Sequence, residues 1–408
     1  MLNTLPALQG SVKNKNLQVR VILHPMTYLV AGQLNHKALK WDTKANPLDD
    51  TPTSASPSVG GDLTRFDAGQ DASALPENYL LFGAWKQIYD GSNQGYTGYF
   101  KHPGYWDKGN NAPNDPVTGK PDPNAPNDLL GMNGTLNFSR EKLIASMDFY
   151  TKNNQPVETH TNGSWAAEDY MTAIELAIAN HPDAKDLRHT FIHGQMEERQ
   201  IVERSIGKYD ELDSTANMYS DLSGTARQEG TDTDANGKAW TASELRAALK
   251  NGKLIKDQNL VSSYFINHTY FWGDRHYEMF LGQDRAERIS PLRSALKRGI
   301  PFSNHNDTFV TPIDPLLSVW SAVNRITSSG QVLGEEYTIS VMDALRSVTS
   351  WAAYQACEET SKGSLEPGKL ADMVVLGDNP LAVDKKAIRD IPVLATIVGN
   401  ELVYGSLE

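Results

Sequence analysis

The fold is decided by residues 155–193, which read QPVETHTNGSWAAEDYMTAIELAIANHPDAKDLRHTFIH. The stretch opens with a short extended run that ends at His160, and it closes with a second run that ends at His193. Between them, apolar residues recur at helical spacing from Ser164 onward, and the pattern stops before His181-Pro182, because a proline disfavours helix in the preceding residue. Strand, helix and strand in this order predict a parallel sheet with helical crossovers.

The same alternation continues on both sides of this stretch. Ser139 is predicted to cap a helix that precedes it, because its hydroxyl can accept from a free amide of the first turn. The other predicted elements are a strand at 17–23, an apolar run at 79–89, a helix at 197–207, a strand at 260–266, a helix at 284–298, a strand at 299–303 and a long last helix opened by Ser340. The chain therefore belongs to the α/β class.

The tail and three polar stretches break this rhythm. Strands are predicted at 373–376, 393–398 and 401–404, and Gly399-Asn400 between the last two is a hairpin signal. The three polar stretches are interpreted as loops or insertions, because they are rich in Pro, Gly, Asp and Asn. They cover 41–75, 102–128 and 209–257.

Composition excludes several classes of protein. The 408 residues carry 38 Lys+Arg against 50 Asp+Glu, a net charge of −12, which argues against a nucleic-acid partner bound through bulk charge. Cys357 is the single cysteine, so a disulfide framework and a thiolate zinc cluster are excluded. A continuous apolar run of membrane-spanning length is absent from the sequence, so no membrane partner is expected.

Three polar residues fall where predicted strands end. They are His160, His193 and Asp307, and in a parallel barrel the carboxyl ends of the strands carry the active site. Two imidazoles and a carboxylate suit a divalent metal and a water that it makes acidic. The alternative is that they are loop-edge residues that only satisfy backbone groups.

Six segments carry a family resemblance. They are 84–92, 157–164, 188–195, 267–276, 299–307 and Lys362-Gly-Ser-Leu-Glu-Pro-Gly-Lys-Leu-Ala-Asp372. The last is the most specific, because it is long and has unusual glycine and proline positions. With these segments the chain resembles the amidohydrolase superfamily, in its amidohydrolase family 3 branch, which includes N-substituted formamide deformylase-like proteins.

The resemblance implies a fold and a reaction. The fold is a distorted (β/α)8, TIM-like barrel joined to a small β-sandwich made from both chain ends. Residues 1–360 would form the barrel and 361–408 the C-terminal strands of the sandwich. The reaction is metal-dependent hydrolysis of a carbon–nitrogen bond in a non-peptide, amide-like small molecule.

The resemblance also implies residue roles. His160 and His193 would be metal ligands, and Lys86 a metal-bridging lysine once it is carbamylated, although it could instead pair with Asp90. Asp307 would orient the attacking water and accept its proton. The expected cofactor is zinc, as one or two ions.

Further residues are candidates for substrate binding or for support of the metal ligands. They are His268, Asp274, His276 and His305. The first three belong to a segment predicted to be the loop after the seventh barrel strand. Its alternative interpretation is a structural turn, in which Trp272 packs and Asp274 and Arg275 are solvated.

One part of the family pattern is missing. The superfamily opens its barrel with a His-x-His pair, and none of the ten histidines here has that spacing. The strand at 17–23 resembles the third barrel strand, so the barrel is expected to be incomplete at its N-terminus and the isolated chain poorly active or inactive. A cytoplasmic location is the default expectation, because any targeting segment would lie on the missing section.

Two other interpretations are open. The chain could be a non-catalytic remnant, or a subunit that completes its barrel with a separate partner chain. A homo-oligomer is a separate expectation. It could also be an α/β sugar-processing barrel with paired carboxylates as acid and base. Against the latter, the residues at the strand ends are histidines more than carboxylates.

Overall fold

A computed structural model describes most of the chain. The described residues are 21–24, 40–42, 56–58, 80–101, 104–106, 133–209 and 233–407. Four short strands come first. β1 (Val21–Leu23) pairs in parallel with β4 (Leu80–Phe82), and β2 (Lys40–Asp42) pairs antiparallel with β3 (Ser56–Ser58).

The centre of the molecule is a five-stranded parallel sheet whose strands lie in chain order. Its strands are β5 (Trp85–Ile88), β6 (Val157–Thr161), β7 (Thr190–His193), β8 (Val261–Tyr264) and β9 (Phe302–Asn304). Every residue of β7, β8 and β9 is buried, which is typical of parallel strands covered on both faces.

Helices connect these strands and follow them. They are α1 (Arg140–Lys152), α2 (Ser164–Asn180), α3 (Arg199–Ser205), α4 (Ala242–Ala248), α5 (Lys253–Lys256), α6 (His268–Arg275), α7 (Gln283–Ala286), α8 (Leu292–Lys297), α9 (Pro315–Asn324), α10 (Val341–Ser347) and α11 (Ser350–Gln355). A π-helical turn, His276–Phe280, extends α6, and 3-10 turns lie at Asn93–Gly95, Glu335–Tyr337 and Lys385–Asp390.

Local sequence explains where the main helices begin. The hydroxyl of Ser139 accepts from the amide of Lys142, and that of Ser340 accepts from the amide of Asp343, as predicted. α2 is buried over nearly its whole circumference, because α1 covers it on one side and the sheet on the other. Its burial fixes the position of β6 and so of His160.

Three predicted elements differ from the structure. The stretch 209–257 was predicted to be a polar insertion, but its described end holds α4 and α5, and Thr241 forms a capping box with Glu244. The helix predicted at 284–298 is divided into α7 and α8, because Pro291 has no amide hydrogen to donate. The predicted long last helix is also two, α10 and α11.

The tail forms a three-stranded antiparallel sheet of β10 (Met373–Leu376), β11 (Val393–Val398) and β12 (Glu401–Gly405). Gly399 and Asn400 both have positive φ, 59° and 69°, which confirms the predicted hairpin turn. The described tail is a single sheet layer, so the predicted β-sandwich is supported only in part.

The sequential parallel sheet confirms the α/β class. The predicted eight-stranded barrel is not confirmed, because the described strands form the five-stranded sheet and a separate β1–β4 pair. The predictions at 17–20, and most of those at 41–75 and 102–128, lie outside the described residues. Among the helices that the structure describes, none has the length and apolar character needed to cross a membrane.

Candidate active site

The carboxyl ends of the parallel strands bring three predicted histidines together. His160 lies on β6, His193 ends β7 and His305 follows β9. The ring centroids of His160 and His193 are 4.3 Å apart, and those of His193 and His305 are 4.9 Å apart. Two of the three residues at predicted strand ends, His160 and His193, are therefore in contact, and His305, a separate candidate, lies beside them.

A buried carboxylate orients His160. The Oδ1 atom of Asp90, a residue with no exposed surface, lies 2.8 Å from His160 Nδ1. The same carboxylate accepts from the amides of Tyr99, Asn162 and Gly163. Because a carboxylate only accepts, His160 donates from Nδ1, and its Nε2 lies 3.4 Å from the side-chain nitrogen Nδ2 of Asn162.

His193 is held at a strained end of its strand. Its φ of 72° is in the left-handed region, which turns its side chain out of the regular strand alternation. Its Nδ1 lies 3.0 Å from His305 Nε2. Burial, together with the nearby His160 and His305, lowers the pKa of His193 well below its usual value, so the ring is neutral at physiological pH.

His305 connects His193 to the sheet. Its Nδ1 lies 2.9 Å from the hydroxyl of Ser263 on β8, and its ring stacks on Phe265 with centroids 5.4 Å apart. Burial, assisted by the charge of Lys86, lowers the pKa of His305 to about 3. A neutral imidazole has one N–H and one lone pair, so each contact that it makes fixes the direction of the next.

His268 and His276 form a second buried pair beside His193. They lie in α6 and its π-helical extension, so the predicted loop is helical. Their ring centroids are 5.9 Å apart, and the centroids of His193 and His268 are 6.3 Å apart. In the described part of the chain the buried Nδ1 atom of each has no hydrogen-bond partner. His276 Nε2 lies 3.0 Å from the side-chain nitrogen Nε2 of Gln195.

Asp274 lies apart from this cluster. Its carboxylate accepts from the hydroxyl of Thr327 at 2.6 Å and from that of Ser329 at 2.7 Å. Burial alone would raise the pKa of Asp274, but these hydrogen bonds lower it below its usual value. The described contacts thus give Asp274 the role of fixing a turn, and the neighbouring Arg275 is exposed.

Lys86 and Asp307 are two further charged residues that influence the cluster. Burial lowers the pKa of Lys86 to about 8, against the attraction of Glu158, Asp307 and Asp90. Burial also raises the pKa of Asp307, against the opposing effects of His160 and Lys86. Among the described residues Lys86 forms no ion pair with Asp90, whose oxygens accept from His160 and backbone amides.

The donor set fits a divalent metal in its chemistry, but it is incomplete. His160 and His193 are adjacent imidazoles whose Nδ1 atoms are engaged, which leaves the Nε2 atoms for ligation. The described residues contain no group of three or more His, Cys, Asp or Glu side chains placed to hold a metal. The two imidazoles alone do not make a metal site, and a full coordination shell requires donors beyond them.

The sequence analysis missed two residues that support the site. It considered Asp90 only as a partner of Lys86, although an Asp-Gly-Ser turn directly after an apolar run is a signal for a side chain at a strand end. It did not consider Glu158, which lies two residues before His160 and so on the same face of β6. Burial alone would raise the pKa of Glu158, but its neighbour His24, 3.0 Å away, and Lys86 lower it to about 2.

A buried carboxyl group without a cationic partner among the described contacts lies behind His193. Glu197 accepts from the hydroxyl of Ser262 at 2.9 Å and from that of Tyr264 at 2.8 Å. Burial raises the pKa of Glu197 to about 8, against these two hydrogen bonds. The group is therefore mainly protonated at neutral pH.

Comparison with known proteins agrees with this geometry. Residues 236–404, which include α6, β8, β9 and the tail sheet, match the model of the amidohydrolase family, in its family 3 form. This part of the chain is an amidohydrolase family sequence. The predicted superfamily and branch are thereby confirmed.

Two curated relatives extend the likeness. It is 24% identical over 342 residues to a Bacillus subtilis (strain 168) protein named as the amidohydrolase YtcJ, covering 83% of this chain and 50% of the relative. It is 30% identical over 134 residues to N-substituted formamide deformylase of Arthrobacter pascens, covering 33% and 24% of the two chains. The chain thus spans about half the length of YtcJ.

A solved structure shares the fold of this chain. It is an uncharacterized metal-dependent hydrolase from Pyrococcus horikoshii OT3, with a TM-score of 0.56 and 18% identity. The match covers 93% of this chain and 55% of that structure. At this identity the likeness establishes the fold alone.

Proposed function

We propose that this chain forms the main part of a metal-dependent hydrolase that cleaves a carbon–nitrogen bond in a non-peptide amide. The observation that carries the proposal is the contact between His160 and His193 at the strand ends, with both Nδ1 atoms engaged and Asp307 close by. The sequential parallel sheet is proposed to be part of a (β/α)8 barrel.

In the proposed site, His160 and His193 hold a divalent metal through their Nε2 atoms, and Lys86, once carbamylated, is a further donor. Zinc is the proposed metal, because it binds neutral imidazole well. When bound, the metal supplies a Lewis acid that lowers the pKa of a ligating water.

The chain's own residues have separate tasks in the proposed reaction. Asp307 accepts the proton of the attacking water and returns it to the leaving nitrogen, which its raised pKa favours. His268 and His276 are neutral and buried, and the unpartnered Nδ1 of His268 is available to the substrate. His305 acts through His193, and Asp274 acts only by fixing its turn.

Hydrolysis of small amides by the full chain tests the proposal. An N-substituted formamide, the substrate class named for the Arthrobacter relative, and its N-acetyl analogue are assayed after chelation and again after zinc is restored. Because the donor set is incomplete, we expect weak zinc-dependent cleavage. D307N should abolish it and D314N should retain it, because Asp314 caps α9. Cleavage that survives chelation would contradict the metal role, and absence of cleavage in the zinc-loaded chain would contradict the function.

A further inference from the structure

A chain of hydrogen bonds runs from His193 across the sheet to a residue on a distant helix. His193 Nδ1 contacts His305 Nε2, and His305 Nδ1 contacts the Ser263 hydroxyl. The Ser263 hydroxyl lies 2.8 Å from that of Ser303, which contacts Gln355 Oε1 on α11. The Nε2 atom of Gln355 in turn lies 2.8 Å from Glu158 Oε1.

The direction of this chain is fixed at its far end. Glu158 pairs with His24 at 3.0 Å and accepts from Gln355 Nε2 at 2.8 Å, and a carboxylate can only accept. Gln355 must therefore present its NH₂ group to Glu158 and its carbonyl oxygen to Ser303. A carbonyl oxygen has no hydrogen, so Ser303 donates its single hydroxyl hydrogen to Gln355.

The remaining directions follow one by one. The single hydroxyl hydrogen of Ser303 goes to the Gln355 oxygen, so in the contact between the two hydroxyl oxygens, which are 2.8 Å apart, the hydrogen is that of Ser263. Ser263 must then accept from His305, whose ring nitrogens contact Ser263 and His193 and, among the described residues, no carboxylate, so its one ring hydrogen is on Nδ1. His305 Nε2 can then only accept, so His193 carries its hydrogen on Nδ1 and keeps the lone pair on Nε2.

We propose that Gln355 is a positioning residue that selects the tautomer of His193 through Ser303, Ser263 and His305. The chain of bonds has two self-consistent directions, and only one leaves the Nε2 lone pair of His193 free. Gln355, anchored by Glu158, selects that direction. The tautomer itself is independent of the proposed function, and only the use of the lone pair for a metal rests on it.

The test reads the tautomer in the metal-free full chain, by nitrogen NMR with ¹⁵N-histidine. The His193 signal is assigned by its loss in H193Q. We expect wild-type His193 to be protonated on Nδ1 alone, and Q355L to shift it to a mixture of Nδ1–H and Nε2–H forms. His160 is the internal control, because Asp90 fixes its Nδ1–H form independently.

Matched variants separate this role from a general structural one. Q87L removes another buried glutamine on the same sheet, one that bonds Thr159 and Ser146, and should leave His193 unchanged. If Q355L does not fold, S263A breaks the same chain, and S263T restores the hydroxyl and the tautomer. An Nε2–H form in the wild type, or an unchanged His193 signal in folded Q355L or S263A, would overturn the proposal whether or not amides are hydrolysed.

Discussion

Replacement of Asp90 by asparagine tests how strongly the site depends on a single buried carboxylate. Oδ1 accepts from His160 Nδ1 and the amide of Asn162, and Oδ2 accepts from the amides of Tyr99 and Gly163. Asparagine replaces one of these oxygens by an NH₂ group, which leaves two donors without an acceptor. Each unsatisfied buried donor costs about 1–3 kcal/mol, so D90N should lower the free energy of unfolding by about 2–6 kcal/mol.

Urea unfolding followed by circular dichroism measures this change. D148N is the matched control, because a single oxygen of Asp148 accepts from both Asn180 and His181, and the asparagine oxygen can retain both bonds. We expect D148N to change the free energy of unfolding by less than about 1 kcal/mol. A D90N effect as small as that of D148N would refute the assignment of four accepted hydrogen bonds to Asp90.

Two further predictions concern buried charge. R204M leaves Glu168 and Glu175 without the buried guanidinium that binds both, so it should lower the free energy of unfolding in urea by about 3–5 kcal/mol. R346M, at a half-exposed ion pair, is the control and should lower it by less than about 1 kcal/mol. Equal effects of the two variants would contradict this prediction. Between pH 4.5 and about 8, folded Glu197 retains a proton that the unfolded chain releases. As pH rises through this range, the free energy of unfolding of the wild type should therefore fall relative to that of E197Q, by up to about 1.4 kcal/mol per pH unit. The same difference between the two proteins at pH 5 and at pH 8 would contradict the raised pKa.

Local signals predicted much of the fold. The Ser139 cap and the apolar face after Ser164 predicted α1 and α2, and the turn residues Gly399-Asn400 predicted the tail hairpin. The helix α4 was missed because its signal, the capping box at Thr241, lies directly after a polar stretch. Caps, apolar periodicity and turn residues can be recognised in a sequence, but a short helix inside a polar region has little apolar periodicity to detect.

The histidines of the candidate site could be predicted from the sequence, but their hydrogen-bond partners could not. The strand-end pattern predicted that His160 and His193 lie together, because parallel strands place their carboxyl ends at one edge of the sheet. His305 was a separate candidate, and it lies beside His193. Their partners were not predictable, since the Asp90–His160 bond spans 70 positions and the Glu158–Gln355 bond spans 197. Such pairs are determined by the packing of helices and strands that are distant in the sequence, so the spacing of residues does not predict them.

The central claim is that His160 and His193 present their Nε2 lone pairs to a divalent metal, and zinc affinity tests it most directly. Equilibrium dialysis of the wild-type chain, H193Q and H181Q compares a proposed ligand with a histidine that contacts Asp148 instead. We expect H193Q to bind zinc at least about tenfold more weakly than the wild type, and H181Q to bind it equally well. Equal zinc affinity in wild-type and folded H193Q protein would contradict the claim.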